Sequence, residues 1–567
     1  MIALVLAGMA VLAGCAQAPL RSPSRAPASA QPLAQLDLPA ATDAGRAAAL
    51  MLAAEFALQG SDAATAAHDY AEAAQLSRDP DVAKRALDLA LATRDEQDAA
   101  RMIERWRALG AGPRPLAGAR GQLALLRGDR AGAEREFGLM LQSGSAAEWK
   151  TFIAGLLGAR DTALAGRVLE ELATPARLPA DESVWIALSQ LGEHLGRHAF
   201  ARTLAAAAVR RFDGADAIRW AATLHLADHD QAAALALYAQ GVKAHPKNVD
   251  LRLGYAALLA AGNRNREALA VLAAGPQTTA TWSARVAYAA RARDETALRN
   301  LYAGLQRAPA AQRDGNLFVL GQLAELLKHD QEALRWYGEV DPDGEHAFEA
   351  QVRSAVLLDK IGRHAEAHAV AEQLQQDYTD DPDSLRTAYE LDAQLYSQDG
   401  EHAKAISTYD RALAAMPGDP VLIYDRGIAR ANAGHIDAAL ADFRSVLKLK
   451  PDNVDAMNAL GFTLADANRD LPEATQLLKK ALAAKPGEPA IMDSWGWLQY
   501  RLGHFDEAED YLRRAWDKGS DPDVGVHLGE VLWKLGKHQH AREVFAKVRK
   551  LDPKNASLQR AAKELQP

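Results

Sequence analysis

The sequence predicts an all-α protein built as a solenoid of stacked helical hairpins. Three observations predict it. Strong helix formers (Ala, Leu, Arg, Glu) fill nearly every stretch of the 567 residues, and β-branched runs are almost absent. Small residues recur with a near-constant step: Gly427, Gly461, Gly496 and Gly529 are 34, 35 and 33 residues apart. Between them glycines stand at turn positions, Gly400, Gly434, Gly503 and Gly536, where the left-handed conformation ends a helix. Hydrophobic residues make up 49%, enough for an extended core, while aromatics are only 6%.

Residues 1–14, MIALVLAGMAVLAG, are apolar throughout. That is the length of a signal-peptide core and short of the ~20 residues a membrane span needs. The first cation is Arg21, so the positive opening usual in such leaders is missing. Cys15 follows the apolar run and is the only cysteine of the chain. It can close no internal disulfide, and one thiol is too few for a structural zinc site. Leu12-Ala13-Gly14-Cys15 resembles the bacterial lipobox, which implies cleavage before Cys15 and lipidation of that residue. Ala16 stands where an aspartate usually retains such lipoproteins at the inner membrane, so the resemblance implies an outer-membrane address facing the periplasm. Residues 15–44 then read as a Pro/Ala/Ser linker.

Residues 45–382 are expected to form degenerate repeats. Ala367, Ala333, Ala297, Ala268, Ala234, Ala201, Ala165, Ala133, Ala99 and Ala66 can each be placed at one second-helix position. LGRHAFA at 195–201 and IGRHAEA at 361–367 are near copies of one inter-helix turn. Residues 383–567 hold the well-formed repeats. Ala405, Ala439, Ala474, Ala508 and Ala541 keep the period, each followed four positions later by a bulky residue on the same helical face (Tyr409, Phe443, Leu478, Leu512, Phe545). Pro417, Pro451, Pro486 and Pro553 close the units, with Ser520 where one proline is missing. This pattern resembles the tetratricopeptide repeat (TPR). The resemblance implies a right-handed superhelix of roughly 14 or 15 hairpins.

In such arrays the first helix of each unit lines the concave face. The register puts Tyr424, Ile428, Asn458, Phe462, Asp493, Trp497, Tyr500, Glu530 and Trp533 there, with Arg501 as the adjacent cation. Rings interleaved with amide and carboxylate groups suit a peptide groove, because rings supply area at low entropy cost and polar groups fix register. Packing between adjacent units is the competing use of Phe462 and Trp497. The Lys/Asn set that clamps a terminal carboxylate in chaperone-tail-binding members is missing.

The balance of 65 basic against 74 acidic residues, net −9, gives no basic face for nucleic acid. The locally basic stretch from Lys534 to Lys563 reads as a solvated helix face. His194/His198, His225/His229 and His364/His368 have metal-ligand spacing, but histidine recurs at the inter-helix turns (His402, His435, His504, His538), which makes these polar turn residues. Phosphate-loop, zinc-protease and nucleophile-elbow motifs do not occur. No catalytic residue, metal or cofactor is expected, and the chain is read as a non-enzyme.

The whole layout, ending in clean repeats with DSWGWLQYRLG at 493–503, resembles large outer-membrane TPR lipoproteins of gammaproteobacteria. One such group is the adaptor of a periplasmic carboxy-terminal processing protease and its cell-wall hydrolase substrates. The resemblance implies a lipid-anchored scaffold with protein partners. Two alternatives stay open: an assembly lipoprotein for a pilus, secretin or exopolysaccharide apparatus, and a cell-wall enzyme or enzyme subunit with a cryptic site among the repeats.

Overall fold

A hairpin repeat needs a helix start, a turn and a close crossing, and each is set by a short local pattern. The computed structural model describes residues 42–565; the leader, Cys15 and almost all of the linker lie outside them. Helix begins at Asp43, two residues ahead of the expected boundary, capped by Thr42. Among the described residues there are helices and no strands, and the helices pair into fifteen antiparallel hairpins. A short helix, Ala310–Asp314, and a last one, Ala556–Leu565, stand outside the pairing. None is long and apolar enough to cross a membrane.

The described residues form two compact units, divided between Leu251 and Arg252. The first holds six hairpins, from Asp43–Gln59 paired with Ala63–Leu76 to Ala215–Ala227 paired with Gln231–Ala244. The second holds nine, ending with Pro522–Lys534 paired with His538–Leu551. The division falls inside the helix Val249–Ala261. It follows packing, whereas the boundary expected at 382/383 rests on the regularity of the sequence.

Four of the first helices start at Asp-Pro pairs. Asp79, Asp381, Asp419 and Asp521 accept amide hydrogens at the helix start, and proline occupies the first helical position, where its missing N–H costs nothing. Pro417, Pro451, Pro486 and Pro553 sit in the preceding turns, so they end units and do not begin helices. The inter-helix turn takes a positive φ: Gly400, Gly434, Gly503 and Gly536 lie at +76°, +78°, +84° and +75°. Earlier hairpins place Arg94, His229, Asn263, Arg293 and Lys328 in the same left-handed region, where a side chain costs roughly 1–2 kcal/mol. Three of those hairpins cap the second helix with the next residue, Asp95, Asp230 or Asp294, which accepts the N3 amide, and Asp129 and Asp161 cap two further second helices in the same way.

The crossing is made by a small residue on the first helix meeting the bulky residue of the second. A Cβ at Gly427 would lie 2.6 Å from Phe443 Cε1, one at Gly461 2.6 Å from Leu478 Cγ, one at Gly496 2.7 Å from Leu512 Cγ, and one at Gly529 2.3 Å from Phe545 Cε1. The expected second-helix alanines are fully buried at 66, 99, 133, 165, 201, 234, 268, 333 and 367. The exception is the helix Glu295–Gln306. There Ala297 is only half-buried, and the fourth residue, which is alanine in every other hairpin, is the buried Leu298. The register assigned through Ala297 is therefore one residue early, and Tyr302, four positions after Leu298, is the bulky partner.

Candidate functional site

The ten residues expected on the binding face, the adjacent Arg501 included, all lie on first helices of the second unit, and the structure divides them by use. Trp497 is 1% exposed. Its indole N–H donates to Asp466 Oδ1 at 3.0 Å, and its ring stacks on Tyr500 and His527 with centroids 4.9 and 4.2 Å away. Arg501 lies over the same ring at 4.9 Å and donates to the Asp466 backbone oxygen at 2.8 Å. Asp493 is buried and accepts from His527 Nδ1 at 2.8 Å. These three residues knit neighbouring hairpins together. Tyr424, Asn458, Phe462, Tyr500 and Trp533 are half-buried and keep part of their surface free. Phe462 approaches the His527 ring at 5.8 Å, and Trp533 meets the His538 edge at 4.3 Å.

A polar row runs along these first helices, one side chain per hairpin: Glu390, Asp425, Asn458, Asp493 and His527. Each stands two or three residues before the small residue of its helix (Ala393, Gly427, Gly461, Gly496, Gly529). The row closes on itself at its C-terminal end. Burial opposes the charge on His527, yet the Asp493 carboxylate, helped by Glu530 and Asp466, outweighs it and raises the imidazole above its ordinary value. Glu530 is 7% exposed; burial raises its carboxyl, and Arg560 stands 3.7 Å from its Oε1, which has no hydrogen-bond partner.

At its other end the row is open. Glu390 Oε1 is buried without a hydrogen-bond partner, and burial, with Asp425 beside it, lifts this carboxyl to about 7. The Asp425 carboxylate makes no hydrogen bond or ion pair among the described residues, and burial lifts it to about 6. Asn458 Oδ1 is likewise buried and unmet. Tyr409 and Tyr424 flank these groups; burial and the neighbouring carboxylates raise both phenols. Water hydrates a free carboxylate strongly, so half-buried acceptors without donors are costly in the unbound chain. They are also ready-made acceptors for an incoming N–H.

His527, Glu390 and Asp425 escaped the sequence reading. His527 was legible through spacing, since it stands 34 residues, one period, after Asp493. The histidine pairs do not act as pairs. His198 contacts Glu193 at 2.7 Å, His225 is 3.4 Å from Asp230, and His229 sits in the left-handed turn. His364 faces Asp359, whereas His368 meets Asp392 at 2.7 Å and stacks on Tyr396.

Models of the tetratricopeptide repeat match residues 225–293, 393–459 and 494–556. The first of these segments lies within the stretch read as degenerate. The TPR repeat-containing protein PA4667 of Pseudomonas aeruginosa is 37% identical over 217 residues, 38% of this chain. The match spans 36% of that relative's length. Similar solved structures include TTC0263, a thermophilic TPR protein of Thermus thermophilus, with 25% identity, 31% of this chain and 95% of that chain covered, and a TM-score of 0.28. Another is a tetratricopeptide repeat protein from Parabacteroides merdae, with 15% identity, coverage of 48% and 100%, and a TM-score of 0.36. The chain therefore carries tetratricopeptide repeats on an all-α fold of stacked hairpins, an architecture that serves as a scaffold for protein–protein interaction.

Proposed function

We propose that this chain is a lipid-anchored scaffold of the outer membrane that holds its first-helix face toward partners in the periplasm. The finer reading is an adaptor that brings a periplasmic protease together with cell-wall hydrolase substrates. The observation that carries the binding face is the open half of the polar row. Three successive hairpins present Glu390, Asp425 and Asn458 as half-buried acceptors without donors, beside the partly free rings of Tyr424 and Phe462. A bound segment that brings backbone amides or a Lys or Arg side chain meets those acceptors, and the tyrosine walls cover its stem. The anchor rests on the Leu12–Cys15 pattern and the address on Ala16. The chain itself performs no chemistry in this reading.

The test is affinity capture from envelope extract with the full chain and with Glu390→Lys/Asp425→Lys. Recovery of a protease with cell-wall hydrolases, lost in the double variant, supports the adaptor. Recovery of a secretin or export pore overturns it in favour of an assembly role. Capture unchanged by the double variant moves binding away from this face. An unmodified Cys15 in the mass of the mature protein removes the anchor, and purified chain that alters peptidoglycan unaided removes the non-enzyme reading.

A further inference from the structure

Inter-helix turns of this fold repeat one contact: a histidine at the start of the second helix meets the side chain five residues earlier. His198 meets Glu193 at 2.7 Å, His364 meets Asp359 at 2.6 Å and His504 meets Gln499 at 2.8 Å. Only the middle one gains a third group. Asp399, at the C-terminal cap of the helix Pro382–Gln398 in the next hairpin, brings Oδ1 to 3.3 Å from His364 Nδ1. One ligand atom from each of Asp359, His364 and Asp399 lies within 4.8 Å of the other two, the only such group among the described residues.

The comparison with His198 shows why this junction differs. There the next hairpin also ends its first helix on an aspartate, Asp228, but Arg202 forks onto that carboxylate with both Nε and Nη2. A fixed cation closes that corner. The residue four after His364 is His368, and it turns away to Asp392. Lys404 binds Glu401 and lies over the Tyr396 ring. Two carboxylates therefore face one imidazole with no arginine between them.

We propose that Asp359, His364 and Asp399 bind a divalent transition-metal ion of the zinc class, with water completing its coordination. One imidazole nitrogen and two carboxylate oxygens suit zinc in type and number, and an open position for water is left. Bonds of roughly 2.0–2.2 Å set tetrahedral ligand atoms about 3.4 Å apart. The observed separations therefore require shifts of an ångström or so, made mainly by the half-exposed His364 and the partly exposed Asp399, since the Asp359 side chain is only 13% exposed. The ion displaces the proton on His364 Nδ1 to solvent and bridges the turns of two consecutive hairpins. The ligands come from three helix ends, so the bound ion fixes one hairpin against the next. This site is separate from the polar row, and its failure leaves the scaffold reading untouched.

The experiment is zinc titration of the full chain at neutral pH against a chromogenic chelator, counting bound ions. Wild type is expected to hold one more ion than Asp359→Asn, His364→Gln or Asp399→Asn, or to hold it at least ~10-fold more tightly. His198→Gln, at the arginine-closed junction, is expected to lose none. Thermal melting without metal checks the fold of each variant, and added zinc should raise the melting temperature of wild type and His198→Gln but not of the three ligand variants. Calcium, which prefers an all-oxygen shell, should not compete. Equal ion counts and affinities in wild type and the three variants overturn the site. So does a loss in His198→Gln as large as in His364→Gln.

Discussion

Replacing Gly427 by alanine sets two effects against each other. Alanine in a helix interior gains ~0.8–1.0 kcal/mol over glycine. The new methyl, however, would lie 2.6, 3.0 and 3.1 Å from Cε1, Cδ1 and Cζ of Phe443. That ring is fully buried, with Tyr424 5.8 Å away, and has little room to withdraw. Overpacking of this kind costs ~1–3 kcal/mol, and three ring atoms in conflict place it at the upper end. The net loss is then ~2 kcal/mol. Repeat arrays open locally, so one global unfolding energy is the wrong measure. Amide hydrogen exchange of Pro420–Asn432 and Ile436–Leu449 reads the hairpin itself, and ~2 kcal/mol appears there as a roughly thirtyfold faster exchange. Phe443→Ala alone opens a cavity worth ~3–5 kcal/mol. Added to Gly427→Ala it removes the conflict, so the double variant should exchange no faster than Phe443→Ala. Gly434→Ala is the control: φ is +78° with open space around it, so it costs ~1–2 kcal/mol of backbone strain that Phe443→Ala cannot relieve. If Gly427→Ala and Phe443→Ala add to within ~0.5 kcal/mol, the close-crossing argument is wrong.

Leu298→Ala restores the residue found at this place in the other hairpins, yet it should destabilise Glu295–Gln306 by ~2–5 kcal/mol, because the surrounding core is built around a leucine; unchanged exchange in that helix would show that the register correction has no packing consequence. Glu390 keeps its proton to about 7 in the folded chain against 4.5 as its ordinary value. Its contribution is full below about 4.5 and drains away as pH rises to 7, so Glu390→Gln should gain in melting temperature over wild type at pH 8 relative to pH 4.5. Parallel melting curves at the two pH values would remove that assignment. His527 is raised above 6.5, so the stability it lends is present below 6.5 and lost as pH climbs through the folded value. Melting of His527→Gln should be flatter than wild type above pH 6.5, and an equal slope would mean that Asp493 does not hold the proton.

How far the sequence could be read depended on whether a feature is local. The turn glycines at 400, 434, 503 and 536 are local: one backbone conformation demands one residue type, and all four adopt it. The Gly–Phe and Gly–Leu crossings were visible because period and residue size repeat together. The register around 297 was lost although a local signal existed. An aspartate cap stands four residues before the buried alanine at Asp95–Ala99, Asp129–Ala133, Asp161–Ala165 and Asp230–Ala234, and the same step from Asp294 leads to Leu298. Composition drew the assignment to the neighbouring alanine instead. The burial of Trp497 and Asp493 was not local at all. Whether an inward ring stays free or stacks on the next hairpin depends on His527, 30 residues later, and on Asp466, 31 residues earlier.

The two ends of the polar row follow from one physical rule. A buried acceptor must find a donor, at a cost of ~1–3 kcal/mol when it does not. At the C-terminal end the chain supplies the donor itself: His527 serves Asp493, and Trp497 with Arg501 serves Asp466. Those residues are spent on cohesion and offer a partner little. At Glu390, Asp425 and Asn458 the chain supplies none, and two carboxyls instead rise toward neutrality. A partner that donates there removes the cost and drives both groups back to the charged form. At pH 6 Glu390 is mostly protonated and Asp425 about half so. Binding at that pH should then release more than one proton, and calorimetry in buffers of different ionisation enthalpy measures that number directly. A captured partner that binds without proton release does not touch this part of the face.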